Sequence, residues 1–497
     1  MRYRVCTFPN FHIVVSIKLK VNGVVMNKIL GENILPVAMK DRYANFMSLF
    51  WLWAGGNILL ATFMVGSYYS EGIGFWPTII VSITGNLAAY TLCAVSSQRA
   101  SKYGVDEMIS LRPTFGIRGS YFGAFVLVFI NFGWIGLLSA MTGTASQSAA
   151  EVIFYKGFTF AGDYSIYALG GGIFIPLLLI MINPKNGLYL SRITVPVLSA
   201  FSLYVLYTIL SNDVYFDRAV NFEATGDVGW AFALETCVVF AVAWQPYLGA
   251  WNKFADSQRS AYWSTFWGLV IIAILFSTIG GIATLVTGEI DPAVWTVELG
   301  LGVPALLIVI LGTITTCSLL LYAGIMGFLS VFPNVSYRMA AILLALPSIM
   351  FVYATSLHEM FGIILLFVGL LAGPYWAVTM ADFFFLRNEK YDVEACYDHK
   401  GKYSYFHGVN LIAVASVIIG MIVWLYLGGW LSGLEALTFD TGIVWFEYLS
   451  ATLPAMAVSA GVYVIAIKFV FANSATVTKA YPGLSTEPKL KSARVLS

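Results

Sequence analysis

Long apolar runs alternate with short polar breaks along nearly the whole chain. A helix needs about 20 apolar residues to cross a bilayer, and twelve stretches qualify: 46–69, 73–97, 119–148, 165–183, 188–211, 228–250, 260–287, 301–331, 337–356, 359–386, 406–429 and 443–471. The longest polar interval between them, 387–405, is too short to fold alone. The pattern therefore predicts an all-α polytopic membrane protein of twelve transmembrane helices. Two runs carry interruptions. The first contains Gly55-Gly56-Asn57 and the sixth contains Trp244-Gln245-Pro246 with Gly249. Glycine weakens a helix and proline removes a backbone donor, so both should unwind locally. Freed backbone groups at that depth are tolerable only where protein, ions or cavity water satisfy them. Paired interruptions in two halves of a chain point to the binding site of a secondary transporter.

Composition sharpens this. Hydrophobic residues make up 59% and charged ones 11%, more apolar surface than a water-soluble chain can hide. A net charge of +1 gives no sign of a nucleic-acid partner. Basic residues set the orientation. With the N-terminus inside, Arg99, Lys102, Arg112, Arg118, Lys185, Arg192, Lys253, Arg259, Arg338, Arg387, Lys390, Lys400, Lys402 and the basic tail are cytoplasmic, leaving only Lys156 and Arg218 outside. Both termini are thus expected on the cytoplasmic side of the cell membrane. Three regions follow: a cytoplasmic segment 1–44, a twelve-helix domain 45–472 and a tail 473–497. The apolar run 11–17 is too brief to span, and Met26 is a sensible alternative start. Five scattered cysteines (Cys6, Cys93, Cys237, Cys317, Cys396) lack metal-ligand spacing and read as inert thiols.

Candidate chemistry gathers at the interruptions. Half-helix ends present uncompensated carbonyls and N–H groups, so the carbonyls of Gly55 and Ile58 can face a cation. In the eighth run, Gly312 to Ser318 hold a dense hydroxyl cluster, from which Thr315 and Thr316 can offer side-chain oxygens and Gly312 a carbonyl. Hydroxyls in membrane helices also bond back to the preceding turn, and spacing alone favours that reading. Trp134 and Trp244 lie at mid-membrane depth and can sandwich a flat ring. Core packing is the competing reading for both. Gln245 adds a donor and an acceptor for a ring's polar edge. Glu235 lies above the second interruption and reads as a wet vestibule carboxylate, with a proton site as the alternative. Asp382 reads as a structural ion pair, and Asn86 as an interhelical hydrogen bond. No nucleophile is paired with a base and no cofactor is implied, so the chain does not read as an enzyme.

These residues resemble the nucleobase:cation symporter-1 family, which includes cytosine, purine, uracil, allantoin, hydantoin and thiamine-type permeases. The resemblance runs from Trp51 to Asn410. It rests on Trp53-Ala54-Gly55-Gly56-Asn57-Ile58 and on Arg112-Pro113-Thr114-Phe115-Gly116-Ile117-Arg118-Gly119. It rests most specifically on Ala381-Asp382-Phe383-Phe384-Phe385-Leu386-Arg387 with Lys402-Tyr403-Ser404-Tyr405 and Gly408-Val409-Asn410. It implies a LeuT-like fold of two inverted five-helix repeats, about 45–211 and 228–386, with two extra helices in 406–471 and with helices 1 and 6 broken. It also implies a Na⁺ site at Gly55, Ile58, Gly312, Thr315 and Thr316, and a ring-stacking role for Trp134. Trp244 takes the matching role in the sixth helix if the alignment slips by a few residues.

Departures from the family weaken the reading of the cargo. Leu138 stands where a hydantoin-type member has glutamine, and the eighth helix lacks the expected asparagine, running Ser318-Leu319-Leu320-Leu321-Tyr322. Polar contacts then fall to Asn57, Gln245, Ser318, Cys317 or Ser139. The expectation is cation-coupled uptake of a small nitrogen heterocycle, with Na⁺ as the coupling ion, the bilayer as surroundings and no obligate protein partner. A proton-coupled carrier for another small solute, such as a vitamin precursor, is the rival. A membrane receptor that does not transport is the remote one.

Overall fold

The computed structural model describes residues 19–21, 24–26, 34–154, 164–184, 186–353, 357–430 and 441–482. Lys156, Lys185, Cys6 and the apolar run 11–17 fall outside them. Among the described residues nine helices are long and apolar enough to cross a membrane: Phe75–Tyr103, Ser120–Glu151, Ser165–Ile182, Tyr189–Ser211, Trp230–Asn252, Gln258–Thr287, Leu306–Val331, Glu359–Leu386 and Thr452–Val470. A bent pair, Phe46–Asn57 with Leu60–Ile73, supplies the first span, and the shorter apolar helices Tyr337–Ser348 and Leu411–Leu427 take the ninth and eleventh places. Every apolar run read from the sequence therefore has a helix. Outside the bundle, Leu19–Val21 and Val24–Met26 pair as a small antiparallel hairpin.

The first span starts where Asn45 accepts from the Ser48 N–H at 2.9 Å. It breaks slightly later than the glycines suggest, because Gly55 and Gly56 are still helical and Asn57 is the last helical residue. The ladder closes with Ile58 N–H to Ala54 O and resumes with Thr62 N–H to Leu59 O, and the two halves bend by 56°. Thr62 Oγ1 donates to Asn57 O at 2.6 Å across the gap, satisfying one of the carbonyls that a helix end leaves over.

The sixth span is interrupted more mildly. Helices Trp230–Val242 and Gln245–Asn252 are separated by the turn Ala243–Trp244, with Pro246 in the first turn of the second half. Proline is well tolerated there because its missing donor would be unpaired anyway. Gly249 plays no part in this interruption. It lies inside the second half, where an added Cβ would stand 2.3 Å from the Glu107 backbone nitrogen.

The last apolar run departs further from expectation. It divides into Thr441–Leu449 and Thr452–Ile465 around Ser450, whose φ is 57°. Pro454, in the first turn of the second helix, marks a start rather than a helix interior.

Packing repeats with a twofold logic. The first span packs on the seventh as the sixth packs on the second; the third meets its counterpart, the eighth; the fifth lies on the eighth as the tenth lies on the third. Close approach carries the first pair: a Cβ on Gly66 would sit 1.7 Å from Ser277 O. Without a hydrophobic drive between helices in lipid, such backbone contact is what van der Waals packing needs. Cys93, Cys237, Cys317 and Cys396 are buried thiols without disulfides.

Candidate cargo and cation sites

A small cavity lies where the two interruptions meet. Leu59 enters it from the first break, Trp134 from the third span, and Thr316 and Leu320 from the eighth. The sixth span contributes Phe240, Ala243, Trp244 and Tyr247. Its volume is about 20 Å³, room for roughly one water. A flat ring can enter only if side chains part. Trp134 and Trp244 thus share one cavity, as the sequence suggests. Trp134 meets Phe240 edge-on at 5.5 Å and Phe361 at 6.1 Å. Trp244 lies against Gly56, where an added Cβ would come within 3.1 Å of its ring, and packs edge-on to Trp53 at 6.2 Å.

Asn57 holds that indole in place rather than facing the cavity. Its Oδ1 accepts from Trp244 Nε1 at 3.1 Å, and its Nδ2 donates to Leu269 O at 2.7 Å and to Tyr90 Oη at 3.2 Å. One amide therefore ties together the first, second, sixth and seventh spans. Three other candidates also lie off the cavity. Gln245 is fully buried, with Nε2 on Met380 Sδ at 4.0 Å of the tenth span and Oε1 unpaired. Ser318 donates back to Ile314 O at 2.7 Å and faces Gly187. Leu138 is buried one turn beyond Trp134, where the cavity has closed. Residues one or two positions from a correct one point to other sectors of a helix. Phe240, Ala243 and Tyr247 flank Trp244 at helical spacing, as Leu320 follows Thr316, and that periodicity was the signal available for finding them.

The cation candidates come together in part. An added Cβ on Gly312 would stand 3.4 Å from Ile58 O, so the first break and the eighth span meet at the expected place. Thr315 Oγ1 donates to Leu311 O at 2.9 Å and lies 2.9 Å from Thr194 Oγ1 of the fifth span. Thr316 Oγ1 is buried without a hydrogen-bond partner. Gly55 packs against Ser191, also of the fifth span.

Glu235 stands on the wall of a larger chamber, as a vestibule carboxylate would, but its carboxylate is engaged by the protein rather than simply wet. It is 9% exposed, and its carboxylate accepts from the Ala451 and Thr452 N–H groups at 3.0–3.1 Å and from Thr452 Oγ1 at 2.5 Å. It caps the helix Thr452–Ile465 from outside the helix. Trp424 Nε1 donates to the same threonine hydroxyl at 2.9 Å. Beside this cap opens a larger chamber of about 610 Å³, bordered by Tyr68, Glu359, Trp424 and Phe446. Phe361 touches Trp134 and Phe240 of the small cavity and Tyr68 of the large one, so a single layer of rings divides the two.

The opposite end is closed by buried charge. Arg99 pairs with Glu107, which also accepts from Trp376 Nε1 at 2.9 Å. Lys253 Nζ stands 3.6 Å from Asp106 Oδ2. Asp382 accepts from Arg387 Nε at 2.7 Å, Thr114 Oγ1 at 2.8 Å and Tyr481 Oη at 2.6 Å, the structural role expected of it. Asn86 bonds across to Ser277 Oγ at 3.2 Å, again as expected.

A family model described as permease for cytosine/purines, uracil, thiamine, allantoin matches residues 36–440. The chain belongs to that family. Its members are permeases, so the chain is a multi-pass membrane transporter rather than an enzyme. The allantoin permease of Bacillus subtilis (strain 168) is 21% identical over 466 residues, covering 86% of this chain and 92% of that protein. The hydantoin permease of Microbacterium maritypicum is 22% identical over 437 residues, covering 80% and 84%. Among solved structures, a nucleobase-cation-symport-1 family transporter in a closed conformation with bromovinylhydantoin bound superposes with a TM-score of 0.70 at 20% identity, covering 91% of this chain and 99% of that one. The fold is LeuT-like, with the first and sixth helices of the two repeats interrupted.

Proposed function

We propose that the protein takes up a small nitrogen heterocycle by cation symport, Na⁺ being the coupling ion, through alternating access. Cargo sits between Trp134 and Trp244. The cation sits between the first break and the eighth span, on the carbonyls of Gly55, Ile58 and Gly312 and the hydroxyls of Thr315 and Thr316. The observation that carries this reading is the convergence of both interrupted helices on one aromatic cavity beside the Ile58–Gly312 contact. The family and the allantoin and hydantoin permeases it resembles support the class of cargo. A lining rich in rings and poor in amides suits a flat, weakly polar heterocycle. Domain limits of 45–472 and cytoplasmic termini belong to the same proposal.

Proton coupling through Glu235 or Asp382 fits less well. The first is engaged as a helix cap and the second in an ion pair, so protonation would break a structural contact. The test is uptake of labelled allantoin, uracil, cytosine and bromovinylhydantoin into proteoliposomes under an inward Na⁺ gradient or a pH gradient at constant Na⁺. Accumulation that follows Na⁺ and is lost in the Thr315→Ala, Thr316→Ala double variant supports the reading. Accumulation that follows only the pH gradient replaces the ion.

A further inference from the structure

Adjacent residues on a helix point about 100° apart, and the two neighbouring threonines of the eighth span differ accordingly. Thr315 spends its hydroxyl on Leu311 O and Thr194. Thr316 has a buried Oγ1 without a hydrogen-bond partner, and it lines the cavity that holds Trp134 and Trp244. Other polar groups of the lining are occupied: Tyr247 Oη donates to Asn131 Oδ1 at 3.3 Å and Trp244 Nε1 to Asn57. A buried hydroxyl left unpaired is costly, so this one is aimed at something that arrives.

We infer that the Thr316 hydroxyl is shared between cation and cargo, an inference that rests on the function proposed above. A hydroxyl holds one proton and two lone pairs. Its oxygen faces the cation beside Gly312, one turn earlier, which lies against the Ile58 carbonyl. Its proton is donated into the aromatic cavity, to a carbonyl oxygen or ring nitrogen on the cargo's edge. A cation on the oxygen polarises the O–H bond and strengthens it as a donor, as charge does for hydrogen bonds in general. Each ligand then raises the other's affinity by the same factor. The cargo is accordingly a planar heterocycle with an acceptor on the edge that meets the eighth span, and a ring lacking that acceptor gains little from Na⁺.

The experiment measures dissociation constants of purified protein for allantoin, uracil, cytosine and bromovinylhydantoin in sodium chloride and in choline chloride. With the tightest of these probes, Thr316→Val is expected to weaken binding roughly three- to tenfold even in choline, the usual worth of one neutral hydrogen bond. Thr316→Ser should stay within about twofold of the parent. Unchanged affinity of Thr316→Val in choline, with a loss confined to sodium, makes Thr316 a cation ligand alone and overturns the shared role. Trp134→Ala tests the underlying reading separately. If it binds like the parent, or if no probe binds the parent at all, the cavity is not the cargo site and the inference falls with it. Weak binding by Trp134→Ala alongside parent-like binding by Thr316→Val in choline removes only the inference.

Discussion

Asn57 spends both ends of its amide on the protein, and that makes it a sensitive point. Replacing it by leucine strips a partner from Trp244 Nε1 and from Leu269 O. The indole N–H so stranded costs about 1–3 kcal/mol, while Leu269 O keeps the N–H of its own helix. The expected outcome is a lower melting temperature and, if Trp244 stacks on cargo as proposed, weaker probe binding as that ring loses its anchor. A melt in detergent and a binding titration check both. Asp291 offers a test by pH. Burial pushes its carboxyl up to about 7 while the Ala293 N–H it caps pulls the other way. Its unfolded value is near 4, so stability falls as pH rises from about 4 to 7 and stays reduced above that. Asp291→Asn keeps the cap without the charge, and should gain in melting temperature over the parent above pH 7 and lose the advantage near pH 4. Single residues were only partly legible in the sequence. Trp134 and Trp244 stand out through depth, and Trp244 through adjacency to an interruption, whereas Thr316 is marked only by the hydroxyl cluster of the eighth span and the family resemblance. Asn57, Gln245, Ser318 and Leu138 lie off the small cavity, because residue type and proximity along the chain do not say which sector of a helix faces it.

Elements were far easier to read than residues. Each transmembrane helix needs its own apolar run, because lipid supplies no partners for irregular backbone, and among the described residues every one of the twelve runs holds helix, three of them in two pieces. The exceptions have local causes. The first break falls at Ile58–Leu59 rather than on the glycines, because the glycines serve close packing on Trp244 and Ser191 while still helical. The split at Ser450 leaves little trace in the hydrophobic pattern because both sides of it are apolar, and its compensation is a carboxylate far away in sequence. Glu235→Gln puts an amide donor opposite the donors of Ala451 and Thr452. It should cost about 1.5–3 kcal/mol, the range for a hydrogen bond to a charged group. The loss should appear as a lower melting temperature, and Glu235→Asp should recover little because its shorter stem cannot reach.

At the scale of the molecule, one end is held shut by desolvated ion pairs and the other by rings. Breaking a buried pair is expensive because the surviving charge stays stranded, whereas rings part by rotamer change. The structure therefore resists opening more strongly at the Arg99–Glu107 end than at Phe361. Phe361→Ala should let the two chambers communicate, so that bound probe dissociates several-fold faster, and because the ring is fully buried the melting temperature should fall as well, by the equivalent of about 3–5 kcal/mol. A filter-binding chase measures the rate, and a rate equal to the parent's would assign the barrier elsewhere.

The reach of Glu235 across 216 positions to Ala451 also bears on how the protein is made. When the ribosome has delivered the sixth helix, the groups that will neutralise its carboxylate do not yet exist. Until they emerge the acid must remain near water or borrow a temporary donor. Assembly of the first half of that helix is therefore expected to be a late event, and chains ending before Thr452 should be recognised and degraded even though nearly all of the transport core has already been inserted.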